Sequence, residues 1–194
     1  CLASISGVGG DVISPELGDV DLFGGLLVFI RSFYEDSSLL GRGGPCYWNG
    51  RLPNYGFVMV NDANLGSMTS TATLTQVMTH ELGHILGVGP LWRMRGEDLL
   101  RPGTAHCLDS SLDPGLPRTY KGAGGVAEYH LLGGEGEPPT DPTCGHWQES
   151  RFGNEMMTPT PRLSEAATNP DPVSRMTLAS LADLGYEVVM ALAD

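Results

Sequence analysis

Between Thr73 and Gly87 the chain changes its period: Leu74, Val77, Met78, Leu82, Ile85 and Leu86 recur at three- and four-residue spacing, the pattern of an amphipathic helix. No other stretch constrains the fold as much. A helix with one apolar stripe has to bury that side, and it leaves its remaining polar residues facing a cleft or solvent. Thr73 with Gln76 reads as a capping box at the helix start, and Gly87 as the left-handed residue that stops it. At about 100° per residue, positions 80 and 84 lie only about 40° apart around such a helix, so His80 and His84 project from one face, one turn apart. Residues 74, 78, 82, 85 and 86 cluster on the other side, which leaves the histidines over a cleft.

His80-Glu81-Leu82-Gly83-His84 is thus an HExxH sequence inside a helix, and the helical context is what gives the motif meaning. Imidazole nitrogens suit zinc, and a catalytic zinc keeps three protein ligands plus a water whose pKa falls toward about 7. Glu81 adjoins His80 and is placed to take that water's proton without being a ligand, the task of a general base. A third ligand has to come from elsewhere, because the position that would extend the motif is occupied by Pro90. His106, His130 and His146 are the candidates.

Ahead of the helix the chain reads as strands and turns. Leu26 to Phe33 is apolar and aromatic, the chain's longest apolar run, Gly24 to Ile30, reads as a buried strand, and Gly56 to Asn61 (GFVMVN) is a second β-rich segment. From Val88 to Gly145 the chain is rich in Gly, Pro and Asp, with a short helix expected around Gly125 to Leu132. Loops this long are uncommon unless they are functional or tied down. The last clear element is a helix over Val173 to Leu184, capped by Ser174 and followed by Gly185. With no repeat and no linker, one α+β domain is expected over residues 1–194, a small sheet and the histidine helix in 1–87 and a loop-rich part in 88–194.

The formal charge of −12, from 23 acidic and 11 basic residues, sets a field that repels phosphate backbones, so nucleic acid is not an expected partner. No apolar run approaches the roughly 20 residues that span a bilayer. Cys1, Cys46, Cys107 and Cys144 lack CxxC spacing and read as two disulfides, favoured as Cys1–Cys46 and Cys107–Cys144 among three pairings. Disulfides imply an oxidising compartment: a secreted or extracellular protein, or a periplasmic or cell-surface one. No basic-then-apolar leader precedes Cys1, so the chain reads as a mature or trimmed product. Calcium is a candidate second metal only on the number of loop aspartates, with no EF-hand spacing to support it. Monomer is the default oligomeric state.

His80 to Gly87 reads HExxHxxG, as in metzincins. The stretch Gly145-His146-Trp147-Gln148-Glu149-Ser150, followed by Asn154-Glu155-Met156-Met157-Thr158-Pro159, resembles the leishmanolysin family of zinc metallopeptidases. In that family a long insertion displaces the third histidine, and a methionine-containing turn follows it. The resemblance implies that His146 is the third zinc ligand and Met157 the methionine beneath the metal, with Met156 as the neighbouring alternative, and that Gly87 turns the chain sharply away. It covers about Phe57 to the end, including SRMTLASLADLGY. It departs in a short N-terminal part and in lacking the family's larger C-terminal domain, so substrate preference is not carried over.

What the resemblance implies is a metzincin-like zincin domain with a small twisted sheet, an active-site helix, an irregular C-terminal half and a C-terminal helix. The expected activity is hydrolysis of protein or peptide substrates by a metal-activated water, with one catalytic zinc and Glu81 as base. In metzincins the peptide lies along an edge strand above the zinc helix, and the segment matched to it is Gly56, Phe57, Val58, Met59, Val60 and Asn61. Glu149 and Glu155 are candidates to hold the ligating imidazoles by their second nitrogens, the alternative for either being a solvated surface charge. Two rival readings are a zinc hydrolase of a non-peptide amide or ester, which would use the same residues, and a non-catalytic zinc-binding domain. Glu81 argues against the second rival, since a structural site needs a fourth protein ligand rather than an adjacent base.

Overall fold

The computed structural model describes residues 25–48, 51–94, 99–103, 105, 107 and 116–193. Three strands, β1 (Leu27–Phe33), β2 (Gly41–Trp48) and β3 (Pro53–Asn61), form a sheet in the order β1-β3-β2. β1 runs parallel to β3, and β2 runs antiparallel to it. Alternation along β3 sends Val58 and Val60 to one face, where they meet Val77 and Ile85 of helix α1 (Thr71–Leu86) in a buried cluster. Gly56 lies on the same face, and a Cβ there would come within 2.5 Å of Ile85 Cγ2, so its lack of a side chain seats the helix on the sheet.

Three expectations about this half are corrected. Gly56–Asn61 is not an edge segment, because β3 is the central strand and is paired on both sides. β1 is not a buried strand; it is an outer strand among the described residues, with Ile30, Arg31 and Ser32 exposed. The helix begins earlier than Thr73. Ser70 is its N-cap, its hydroxyl accepting from the Thr73 amide while the Thr73 hydroxyl accepts from the Ser70 amide, so the capping box lies three residues upstream. The apolar stripe also fades toward that end, where Leu74 is exposed and Gln76 is buried against Asp171.

The remainder packs on the other side of α1 around an aromatic cluster of Trp92, Tyr120, Trp147, Tyr129 and Phe152. Its elements are α2 (Pro90–Met94), a two-stranded ribbon of β4 (Leu100–Arg101) and β5 (Thr119–Tyr120), α3 (Ala123–Leu131), α4 (Glu149–Phe152) and α5 (Arg175–Leu184). α3 has no capping side chain of its own. Asp183 of α5 supplies one across the interface, accepting from the amides of Gly124 and Gly125 and from the Tyr120 hydroxyl. Ser174 caps α5 through the Thr177 amide, and Gly185 ends it in the left-handed region.

Cys107 and Cys144 form a disulfide that closes the long irregular segment. Cys46 is disulfide-bonded as well, and Cys1, its expected partner, lies outside the described residues. The architecture is α+β, and no helix among the described residues is long and apolar enough to cross a membrane.

Candidate metal centre

The helix places His80 and His84 as its pitch requires, and a loop brings His146 to meet them. His84 Nε2 lies 3.0 Å from His80 Nε2 and 3.1 Å from His146 Nε2. Among the described residues this is the one group of three or more His, Cys, Asp or Glu positioned to share an ion, and no fourth such residue joins it. His130, at the end of α3, is exposed and faces the Gly136 carbonyl oxygen from 2.8 Å, so it is not part of the group. His106 lies outside the described residues.

The second nitrogen of each ring is committed to an oxygen. His80 Nδ1 faces the Met156 carbonyl at 2.7 Å, His84 Nδ1 the Val88 carbonyl at 2.9 Å, and His146 Nδ1 the Asp141 carboxylate at 3.4 Å. A carbonyl or carboxylate oxygen only accepts, so Nδ1 carries the proton and Nε2 keeps its lone pair. Three lone pairs then converge with no proton to share among them, an arrangement that favours a cation at the centre. Tetrahedral zinc with nitrogens at about 2.0–2.1 Å separates its ligand atoms by roughly 3.3 Å, close to what these rings present. Burial, with a smaller contribution from the neighbouring imidazole His146, lowers His80 to about 4. Burial likewise holds His84 well below the ordinary histidine range. Both therefore stay neutral at ordinary pH, the form that binds metal.

Glycines let these pieces close on one another. Gly87 and Gly89 adopt φ of 118° and 83°, which only glycine tolerates readily, and they turn the chain so that the Val88 carbonyl faces His84. A Cβ on Gly89 would lie 2.1 Å from the Gly145 carbonyl oxygen, so the helix exit and the loop that carries His146 interlock backbone to backbone. On α1 itself, a Cβ on Gly83 would lie 2.4 Å from Met157 Sδ. Met157 is almost wholly buried beneath the two-histidine turn, whereas Met156 contributes its carbonyl to His80.

Neither of the two candidate partners, Glu155 and Glu149, meets an imidazole. Glu155 accepts from the Met157 amide, from the Ser174 amide and hydroxyl, and from the Thr177 hydroxyl, so it ties the methionine turn to the start of α5. Burial pushes its carboxyl above the usual range. Glu149 accepts from the Thr160 amide. The carboxylate that meets an imidazole is Asp141, which sequence reasoning missed: one aspartate five residues ahead of a histidine in a Gly- and Pro-rich loop carries no periodic signal.

Glu81 is buried under β2. A Cβ on Gly41 would lie 2.9 Å from Glu81 Oε1, and one on Gly43 would lie 2.4 Å from the Glu81 carbonyl oxygen, so β2 passes close over this residue because it has no side chains there. Burial pushes the Glu81 carboxyl up to about 8. Among the described residues the outer strand beside the site is therefore β2, and Gly56 to Asn61 lies one strand further in. Compared with known proteins, the chain matches no family model and no curated protein.

Proposed function

We propose that this chain is a zinc-dependent endopeptidase of the metzincin type, similar to leishmanolysins, acting on proteins or peptides in an oxidising, extracellular-type compartment. The observation that carries the reading is the convergence of the three Nε2 atoms of His80, His84 and His146 beside a buried glutamate adjacent in sequence to a ligand. Bound there, zinc would lower the pKa of a coordinated water and polarise a substrate carbonyl. The chain's own residues do the rest. Glu81 takes a proton from the attacking water and returns it to the leaving amine nitrogen. Met157 supports the turn of α1 that carries His80 and His84, and Asp141 orients His146.

Strand β2, outermost on its side among the described residues, offers the backbone along which an extended peptide would pair, with Gly41 and Gly43 against Glu81. This takes the place of the Gly56–Asn61 assignment, whose strand is already paired on both sides. The disulfides support export, since such bonds persist in oxidising compartments.

The test is Glu81→Gln assayed on a quenched-peptide library, with zinc content measured in parallel. Turnover should fall by about 10²- to 10⁴-fold while zinc stays bound, and a chelator should abolish wild-type cleavage. Undiminished turnover by the variant would refute the base assignment. Cleavage of simple esters or amides without any peptide cleavage would instead support the non-peptide hydrolase.

A further inference from the structure

We propose that Asp141 dictates the tautomer of His146 and thereby decides whether the third imidazole can take a metal, an inference that rests on the metal-site reading above. The three rings are held differently. His80 and His84 lean on main-chain carbonyls, which no side-chain substitution can turn into donors. His146 leans on a side chain. It is also the most accessible of the three and stands on a loop, so neither a helix nor deep burial fixes its ring.

Asp141 performs two tasks with its two oxygens. Oδ1 accepts from the Gly145 amide at 2.8 Å and from the His146 amide at 3.1 Å, while its own amide donates to the His146 carbonyl and its carbonyl accepts from the Cys144 amide. These bonds shape the loop. Oδ2 accepts from the Thr143 hydroxyl at 2.7 Å and faces His146 Nδ1 at 3.4 Å. An ionised carboxylate only accepts, so it stabilises the ring with its proton on Nδ1 and its lone pair on Nε2, aimed at the other two histidines.

Asp141→Asn separates these tasks. The amide oxygen can keep the Gly145 and His146 amides, so the loop retains its shape, while the NH₂ takes the place of Oδ2. A donor now faces Nδ1, and the ring relieves the donor–donor clash by moving its proton to Nε2. That tautomer has no lone pair toward the metal.

The experiment pairs two measurements. In the metal-free wild type, ¹⁵N chemical shifts of the imidazoles should report His146 protonated at Nδ1, and in Asp141→Asn protonated at Nε2. Zn²⁺ affinity, read by competition with a chromogenic chelator, should fall about 10- to 100-fold in the variant with the thermal melt otherwise cooperative. An Nε2-protonated His146 in the wild type, or unchanged Zn²⁺ affinity in a folded variant, would overturn the role of Asp141 while leaving the site intact. If Asp141→Asn does not fold, the wild-type tautomer decides alone. A wild type that binds no Zn²⁺ more tightly than His146→Ala would sink the metal reading itself, and this inference with it.

Discussion

His80 and His84 reach the cluster on α1, whereas His146 arrives on a loop between Thr140 and Glu149, and the two routes rest on different physics. On the helix, the spacing of the rings follows from pitch alone, and main-chain hydrogen bonds hold it. On the loop, position comes from contacts distant in sequence: the disulfide from Cys144 to Cys107, the Trp147 indole donating to Thr177, and Glu155 tying the methionine turn to Ser174. Half of the candidate site is therefore locally encoded and half is assembled. Damage far from the three histidines should reach His146 before it reaches α1.

The strongest way to break that comparison is to remove the disulfide. Cys107→Ala with Cys144→Ala should cost about 2–5 kcal/mol of stability in denaturant unfolding, and Zn²⁺ affinity should fall while α1 stays helical. Unchanged affinity would mean that the loop is self-supporting and that the contrast is false. The next effect, on the order of a few kcal/mol, is a pH dependence on the helix side. In the metal-free chain Glu81 keeps its proton up to about 8, while an ordinary carboxyl loses it near 4.5, so its contribution is present at low pH and is lost as pH rises through that window. His80 acts in the opposite sense. Lowered from 6.5 to about 4, it contributes stability above that window that is lost as pH falls through it. The stability of wild type relative to Glu81→Gln should therefore decline from pH 4.5 to 8, and a difference independent of pH would contradict the burial of Glu81.

Gly83 sharpens the comparison where the two halves touch. Alanine in a helix interior gains up to about 1 kcal/mol over glycine. Here its Cβ would meet Met157 Sδ at 2.4 Å, and overpacking of that kind costs about 1–3 kcal/mol, so Gly83→Ala should be net destabilising. Adding Met157→Ala should recover part of the loss in a double-mutant cycle. Strict additivity of the two would show that they are not in contact.

The same division explains what could be read from the sequence. The helix, its two histidines and Glu81 were legible because a 3.6-residue period is a local property. Nothing local separates His146 from His106 or His130, and only a family resemblance singled it out; its partners, Asp141 and a disulfide, act through loop geometry. β2 is not legible as a strand because Gly41 to Gly44 has little strand propensity; Gly41 and Gly43 serve the close approach to Glu81 instead. The run before Ile30 looked buried because apolar composition does not say whether a strand has one neighbour or two. The edge assignment of Gly56 to Asn61 failed for that reason too, as pairing partners are written elsewhere in the chain.

The smallest effect tests whether the helix side is as self-contained as its bonds suggest. Ser70 and Thr73 exchange hydrogen bonds at the start of α1, and neither residue belongs to the histidine cluster. Ser70→Ala removes the hydroxyl that accepts from the Thr73 amide, which should cost about 1 kcal/mol in thermal or denaturant unfolding. The two histidines lie in the third and fourth turns, so fraying at the first turn should leave their spacing, and therefore Zn²⁺ affinity, unchanged. A loss of affinity as large as that from cutting the disulfide would show that α1 also depends on its ends to present the ligands, and the contrast between a locally encoded half and an assembled half would fail.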